Sequence, residues 1–304
     1  MYSKKVVSFL FFLTFTFFNA HAQTALSYTQ YMDNPTPINP AYSLTNNYGS
    51  VSFTAHKQWI GIPGSPALFL FNTDFPLSID HTKAGIVASD NSVAIEHVAK
   101  LNGFFAKAIQ LSETQKLGIS ISGGFRYYST AYAPLDPKDP AIQNDQTELK
   151  PNIGISAILF SDNYYIGLSM PEFNFRNLNS AELLDNNSFR NHYFLSGGLN
   201  SVVDDDFTLK PAALVSYTKG IPLTVDISTK LSIKDTFGIG VNYRNSNDVS
   251  ALFSLDTDLF HLGYSYEFGA SSSNLGTLSN ASHELTLTFL FGKGNRVSVN
   301  PGNR

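Results

Sequence analysis

Few residues of this chain are able to do chemistry, and their spacing suits little of it. Seven histidines are present. His21 belongs to a leader-like start. His56, His81, His97, His192, His261 and His283 follow, and none has a histidine four residues on, as a helical zinc pair requires. His283-Glu284 opens an alternating segment, where neighbours point to opposite faces. The lack of cysteine removes thiolate ligands, thiol nucleophiles and disulfides. No GxSxG elbow and no Walker loop occurs. Ser122-Gly123-Gly124 sits inside a strand pattern, where glycine serves close backbone approach or a bend. No catalytic centre, cofactor or metal site is expected, and serine is abundant enough for Ser–His pairs to arise by chance. A second set is more telling: Arg126, Asp226, Lys230, Arg244, Glu267 and Glu284 all fall on the polar side of alternating segments. On one reading they line a lumen that binds a plug or passes a polar solute. On the other they pair with one another and fill a modest barrel.

The elements that position them must be strands. Leu117, Ile119, Ile121, Phe125 and Tyr127 alternate with Gly118, Ser120, Ser122, Gly124 and Arg126. Leu223, Val225, Ile227 and Leu231 alternate with Thr224, Asp226, Ser228 and Lys230. Phe237, Ile239, Val241 and Tyr243 oppose Gly238, Gly240, Asn242 and Arg244, and the same holds through Tyr264, Tyr266 and Phe268 and through Leu285, Leu287 and Phe289. Period two means strands with two different faces. A soluble sandwich alternates too, but its outer face carries Lys and Glu, whereas here the polar face is Gly and Ser. Charged residues are 14% of the chain, against about 25% in soluble domains. The segments are long, close to the roughly 9–11 residues of a tilted membrane strand. Tyr127, Tyr128, Tyr164, Tyr165, Tyr243, Tyr264 and Tyr266, near segment ends, fit interfacial girdles. The fold class expected is all-β: an outer-membrane antiparallel β-barrel. A formal net charge of −4 without a dense Lys/Arg stripe gives no support to nucleic-acid binding.

Strands are expected at 48–57, 66–75, 84–91, 101–112, 116–129, 151–161, 163–172, 190–203, 207–218, 222–233, 236–245, 248–256, 259–269 and 282–292. That makes about 14 strands, and single-chain bacterial barrels have an even number. The pattern is weakest between Ala84 and Leu111, in strands three and four. Connectors are short around 112–115, at 162–163, 204–206, 235 and 257–258, and long at 130–150, 173–189 and 270–281 on the opposite side. Periplasmic turns are the short ones in such barrels, so both termini are expected in the periplasm.

Before the strands comes an address. Lys4 and Lys5 precede an apolar run over 6–18, then Ala20-His21-Ala22. That order is a secretory leader with cleavage after Ala22, and the run is too short for the roughly 20 residues of a membrane helix. The division expected is a leader over 1–22, an N-terminal periplasmic or plug segment over 23–47, the barrel over 48–292 and a tail over 293–304.

Two stretches near the start have unusual wording. The first is Gln30-Tyr31-Met32-Asp33-Asn34-Pro35-Thr36-Pro37-Ile38-Asn39-Pro40-Ala41-Tyr42, and the second Gln58-Trp59-Ile60-Gly61-Ile62-Pro63-Gly64-Ser65-Pro66. Pro35, Pro37 and Pro40 keep the first out of a central strand. It is expected to tuck into the periplasmic mouth as a small plug, or to be a plain lead-in to strand one. Together the two stretches resemble the opening of the PorP/SprF family of type IX secretion system membrane proteins, with Ser65 where that family often has Ala. Weaker echoes include Pro151-Asn152-Ile153-Gly154 and Gly240-Val241-Asn242-Tyr243-Arg244. The resemblance implies an outer-membrane component or accessory of type IX secretion, seated in outer-membrane lipid and linked to gliding motility. Its partners would be the secretion machinery on the periplasmic side and a secreted surface protein such as an adhesin, whose export or attachment it supports. It transfers no catalytic residue. The plug or docking candidates are Gln30, Tyr31, Asn34, Pro35, Asn39, Pro40, Tyr42, Gln58, Trp59, Gly61 and Pro66. The alternative is a passive channel for small polar or hydrophobic solutes.

Overall fold

A computed structural model describes residues 27–77, 81–131, 145–174, 190–268 and 281–292. The expected leader and tail and most of the three long connectors lie outside these residues. The strands are β1 (Gly49–Lys57), β2 (Ala67–Pro76), β3 (Thr82–Val93), β4 (Glu96–Gln110), β5 (Lys116–Thr130), β6 (Gln146–Phe160), β7 (Tyr164–Asn174), β8 (His192–Leu199, resumed at Ser201–Val202), β9 (Phe207–Thr218), β10 (Thr224–Ile233), β11 (Phe237–Arg244), β12 (Asp248–Asp256), β13 (Phe260–Phe268) and β14 (Ser282–Phe291). Each pairs antiparallel with its chain neighbours, and β14 returns to β1 with Phe291 opposite Gly49, so the sheet closes. Of 15 hydrogen-bonded stretches, Ser201–Val202 continues β8 along the same partner, which leaves a wall of fourteen strands.

The barrel has two mouths. β1 begins and β14 ends at the short-turn mouth, with the turns at 161–163, 203–206, 234–236 and 257–259. The long-loop mouth carries the 58–66 loop and the connectors 131–145, 175–191, 219–223, 245–247 and 269–281. A closed barrel has no sheet edge, so the strands satisfy one another's backbone within the wall.

The alternation of the sequence becomes the two faces of the wall. Phe53, Phe69, Ile121, Ile155, Leu168, Ile227, Phe253 and Leu285 are all about half exposed on the outside. An apolar belt of that extent is a severe liability in water and is satisfied by lipid. The inner face is small and hydroxylated. Ser52 meets Thr288 at 2.7 Å, Thr54 meets Thr286 at 2.9 Å, and Ser120 meets Ser156 at 2.7 Å, so neighbouring strands satisfy one another's side chains. In the Ser-Gly-Gly stretch of β5, a Cβ at Gly124 would lie 1.9 Å from the Leu101 carbonyl oxygen, so the close approach demands glycine.

β6 starts at Gln146, five residues before its expected start at 151, and β3 and β4 also depart from their expected limits. They meet in a tight turn at Ala94-Ile95, with Ala94 at φ 52°, where a connector over 92–100 is expected. Residues 87–93 are all half-buried, so alternation vanishes there while the ladder continues to Val93 opposite Glu96. The tyrosines also divide. Tyr127 and Tyr243 face outward, but Tyr128 is 2% exposed and Tyr165 packs edge-on against Tyr42 inside the barrel. Consecutive strand residues cannot share a face, so Tyr127 excludes Tyr128 from the girdle, and Tyr164 excludes Tyr165.

Candidate functional site

The site is the lumen, and the chain's own residues 27–48 lie in it. The prolines that exclude this segment from a strand give it turns instead. The Pro35 carbonyl accepts from Ile38 N–H (3.1 Å) and Asn39 N–H (2.9 Å). Asn39 then caps a short 3-10 helix, Pro40–Thr45, its side-chain oxygen accepting from Ala41 N–H at 3.1 Å. Proline at the first helical position costs nothing, because its missing N–H would be unpaired there.

The motif's polar side chains find partners on the wall. The Gln30 backbone N–H donates to Glu284 Oε1 (2.7 Å) and the Thr29 N–H to Glu284 Oε2 (2.8 Å), while Gln30 Nε2 donates to the Glu284 carbonyl (3.1 Å). The Tyr31 hydroxyl reaches the carbonyls of Ala212 (3.3 Å) and Asp226 (3.4 Å). Asn34 donates to Thr54 Oγ1 (3.2 Å), and its carbonyl accepts from the Tyr28 hydroxyl. Across the lumen, Asn39 Nδ2 donates to the Ala157 carbonyl (3.1 Å), and Ser169 Oγ donates to the Ile38 carbonyl (2.8 Å).

Apolar packing completes the seat. Tyr28, Tyr31 and Ile38 pack with Leu68 and Leu70 of β2, Phe194 of β8, and Ala212 and Leu214 of β9. Ala41 and Leu44 pack with Phe104, Ala106 and Ala108 of β4 and Ile158 and Phe160 of β6. These wall residues point inward, where a water-filled pore would carry polar groups.

The six inward charges are all buried, and they divide by task. Glu284 and Lys230 hold the segment: Glu284 accepts the two backbone N–H groups and lies 2.6 Å from His56 Nδ1, while Lys230 pairs with Asp33. Arg244 and Asp226 pair across the wall at 2.8 Å. Arg126 lies 3.5 Å from Glu172, which also holds Lys100 at 2.5 Å. Glu267 accepts from Ser282 Oγ at 3.2 Å. Burial disfavours the charged form of Asp33, but Lys230 and His261 beside it outweigh this and hold its carboxyl below the usual carboxylate range. Burial, reinforced by the Glu284 charge, pushes the Tyr28 hydroxyl well above its ordinary value, so it stays protonated as a donor.

Sequence reasoning missed Asp33, His56, Lys83, Lys100, Glu172 and His261. Lys83 and Lys100 each lie one residue before the expected starts of strands three and four, whose limits are the least legible, and Glu172 is the last residue of the strand expected at 163–172. A signal did exist for the apolar seats: Leu68-Phe69-Leu70-Phe71 and Phe104-Phe105 are apolar on both faces, which a wall between lipid and water has no use for.

The second motif does not join the first. Its loop stands at the long-loop mouth and is shaped by its own backbone: Gln58 N–H donates to the Pro66 carbonyl (3.0 Å), Trp59 has φ 46°, and Gly61 and Gly64 have φ 97° and 74°. Trp59 is half-buried, Gly61 exposed and Pro66 buried. At the short-turn mouth a cavity of about 510 Å³ opens beside Tyr42, Asn46, Tyr48, Lys116, Lys210 and Asp235, and Asp33 and Asn34 of the segment also line it.

The family model described as type IX secretion system membrane protein PorP/SprF matches residues 20–289. A search of curated proteins finds no match. Solved structures of similar shape include the Ralstonia pickettii toluene transporter TbuX, at 9% identity and TM-score 0.49 over 89% of this chain and 95% of that one. The Acinetobacter baumannii outer membrane protein Omp33 is another, at 7% identity and TM-score 0.47 over 81% of this chain and 99% of that one. A third is the Pseudomonas putida toluene transporter TodX, at 11% identity and TM-score 0.47 over 89% and 96%. Likeness at this level says nothing of what this barrel does. The family match reaches into the last strand, takes in both proline-rich motifs and agrees with a closed wall belted in apolar side chains: the chain belongs to the PorP/SprF family of type IX secretion system membrane proteins and is a β-barrel of the outer membrane.

Proposed function

We propose that this protein is a non-enzymatic accessory of type IX secretion that supports the export or surface attachment of a particular secreted protein, such as an adhesin. The observation that carries the reading is the filled lumen. The first family motif is spent on filling the barrel through Glu284, Lys230 and two apolar seats, so the surfaces left for partners are the two mouths. Short turns are periplasmic in bacterial barrels, so the short-turn mouth, with its cavity, is assigned to the secretion machinery, and the long-loop mouth, with the Trp59 loop, to the secreted protein. The division into a leader over 1–22, a plug segment over 23–47 and a barrel from 48 follows the same reading.

The passive-channel alternative needs a continuous path, and residues 28–44 of the chain itself pack into the lumen along it, with Asp33 and Asn34 lining the cavity at the short-turn mouth. Two measurements decide. Tagged protein recovered from outer membranes should bring down secretion components or a surface protein; recovery of neither sinks the secretion role. In planar bilayers the purified barrel should be electrically silent, and large steady conductance would restore the channel. Deleting residues 23–44 should abolish export of the cargo while the barrel still assembles.

A further inference from the structure

The anchors of the N-terminal segment follow the barrel axis in chain order. Ser27 and Tyr28 sit at the long-loop mouth, in a small cavity with His192 at the start of β8, Thr218 at the end of β9 and Thr224 at the start of β10. Thr29 and Gln30 are held by Glu284, near that same end of β14. Asp33 pairs with Lys230 and faces His261 (3.7 Å), which lies near the other end of β13. The chain then crosses to Ser169, Ala157 and Ser156 on the far wall. It emerges at the short-turn mouth, where Lys83 near the start of β3 donates to Asn46 Oδ1 (2.7 Å) and the Tyr48 carbonyl (2.5 Å).

We propose that this segment threads the lumen from one mouth to the other, with Ser27 at the long-loop mouth, opposite the mouth at which β1 begins. A segment that dipped into one mouth and returned would set both its ends against the same turns. Here the two ends contact opposite rims, and walls on both sides of the lumen hold the stretch between. The lumen is thus occupied by residues 27–48 passing through it, and Ser27 stands among the strand ends of the long-loop mouth. In the orientation proposed above, on which this clause alone rests, that mouth faces the cell exterior.

The chain has no cysteine, so introduced thiols report without background. Two double variants of the full protein in outer-membrane preparations would be treated with a short bis-maleimide. S27C/T224C joins two residues of the small cavity at the long-loop mouth; S27C/N200C asks for a link to the short-turn mouth, where Asn200 lines the larger cavity. Most of the folded S27C/T224C protein should shift in gel mobility, and S27C/N200C should not. A link in S27C/N200C, or in neither pair while heat-modifiable mobility reports a folded barrel, overturns threading. Labelling of single variants on intact and permeabilised cells with a membrane-impermeant maleimide gives a second reading. Ser27→Cys should follow Lys219→Cys, exposed at the long-loop mouth, and following Asp205→Cys, exposed at the short-turn mouth, also overturns the proposal. Both references are internal to the barrel, so the outcome is independent of membrane orientation and of any secretion defect.

Discussion

The segment over 28–48 and the loop over 58–66 are neighbours in sequence, alike in their prolines and aromatics, and held by opposite means. The first keeps almost no shape of its own beyond two turns and a short helix. Its conformation is imposed by Glu284, Lys230, Thr54, Ala157 and the apolar seats around it. The second is shaped mainly from within, by positive φ at Trp59, Gly61 and Gly64 and by short backbone bonds, and is tied to its rim neighbours through its backbone, Ala94 N–H donating to the Gly64 carbonyl (2.8 Å) and Ile60 N–H to the Ala281 carbonyl (3.4 Å). A buried segment has to satisfy every polar group against the wall, whereas an exposed loop has water for that and needs only the right backbone. Substitutions should therefore be costly and long-range in the first, mild and local in the second.

The largest effect is expected at Glu284. Glu284→Ala strands two buried backbone N–H groups and His56, and breaking a buried charged cluster costs about 3–5 kcal/mol. The urea midpoint in detergent should fall accordingly, with planar-bilayer conductance appearing as the segment loosens. If Glu284→Ala unfolds no earlier than Trp59→Ala, the contrast between the two regions is broken. Ile38→Ala comes next. This side chain is 2% exposed between Leu70 and Phe194, and truncating such a group costs about 2–5 kcal/mol. The barrel wall should be unaffected, so strand content by circular dichroism should stay constant while the unfolding midpoint drops.

Much of the wall was legible because its physics is repetitive. Lipid on one side and a small-residue lumen on the other write period two into every strand that crosses the membrane, and β9 and β12 fall at their expected limits. Legibility failed where that contrast ends: over 87–93, half-buried on both faces, the ladder runs on with no pattern to reveal it. The lumen charges were legible as inward, but their partners were not. Lys230 is closer in sequence to Asp226 than to Asp33, yet it is Asp33 that it meets, because a partner 197 residues away is set by the path of a segment that has no period to read. The direction of that path was also hidden, since nothing in the words of the motif says at which mouth it starts.

On the rim, smaller effects sharpen the comparison. Gly61→Ala introduces a Cβ that meets nothing within 4 Å, so its cost is the backbone's alone, at φ 97°. That is about 1–2 kcal/mol for a non-glycine residue in left-handed space. The urea midpoint should move little, since the loop can open without the barrel, and proteolysis within 58–66 should rise. A drop as large as that of Ile38→Ala would mean that the rim and the lumen are one cooperative unit.

The finest test is acid. The Asp33 carboxyl is held below its ordinary value of 3.8 by Lys230 and His261, despite burial. A depressed carboxylate contributes stability that is fully present above the unfolded value and is lost as pH falls through the lower folded one. From pH 7 to about 5 the pair should therefore contribute a constant amount. Its loss should begin only below the ordinary value of 3.8. Substituting Asp33 alone would leave Lys230 buried without its partner, a large and uninformative cost. The double exchange Asp33→Asn with Lys230→Met removes both charges and is expected to be close to neutral at pH 7. Acid unfolding of that variant, followed by heat-modifiable mobility from pH 6 down to 2, should be less steep at its lowest end than that of the wild type. Equal steepness would mean that Asp33 keeps an ordinary value, and that the apolar seats and Glu284 hold the segment without it.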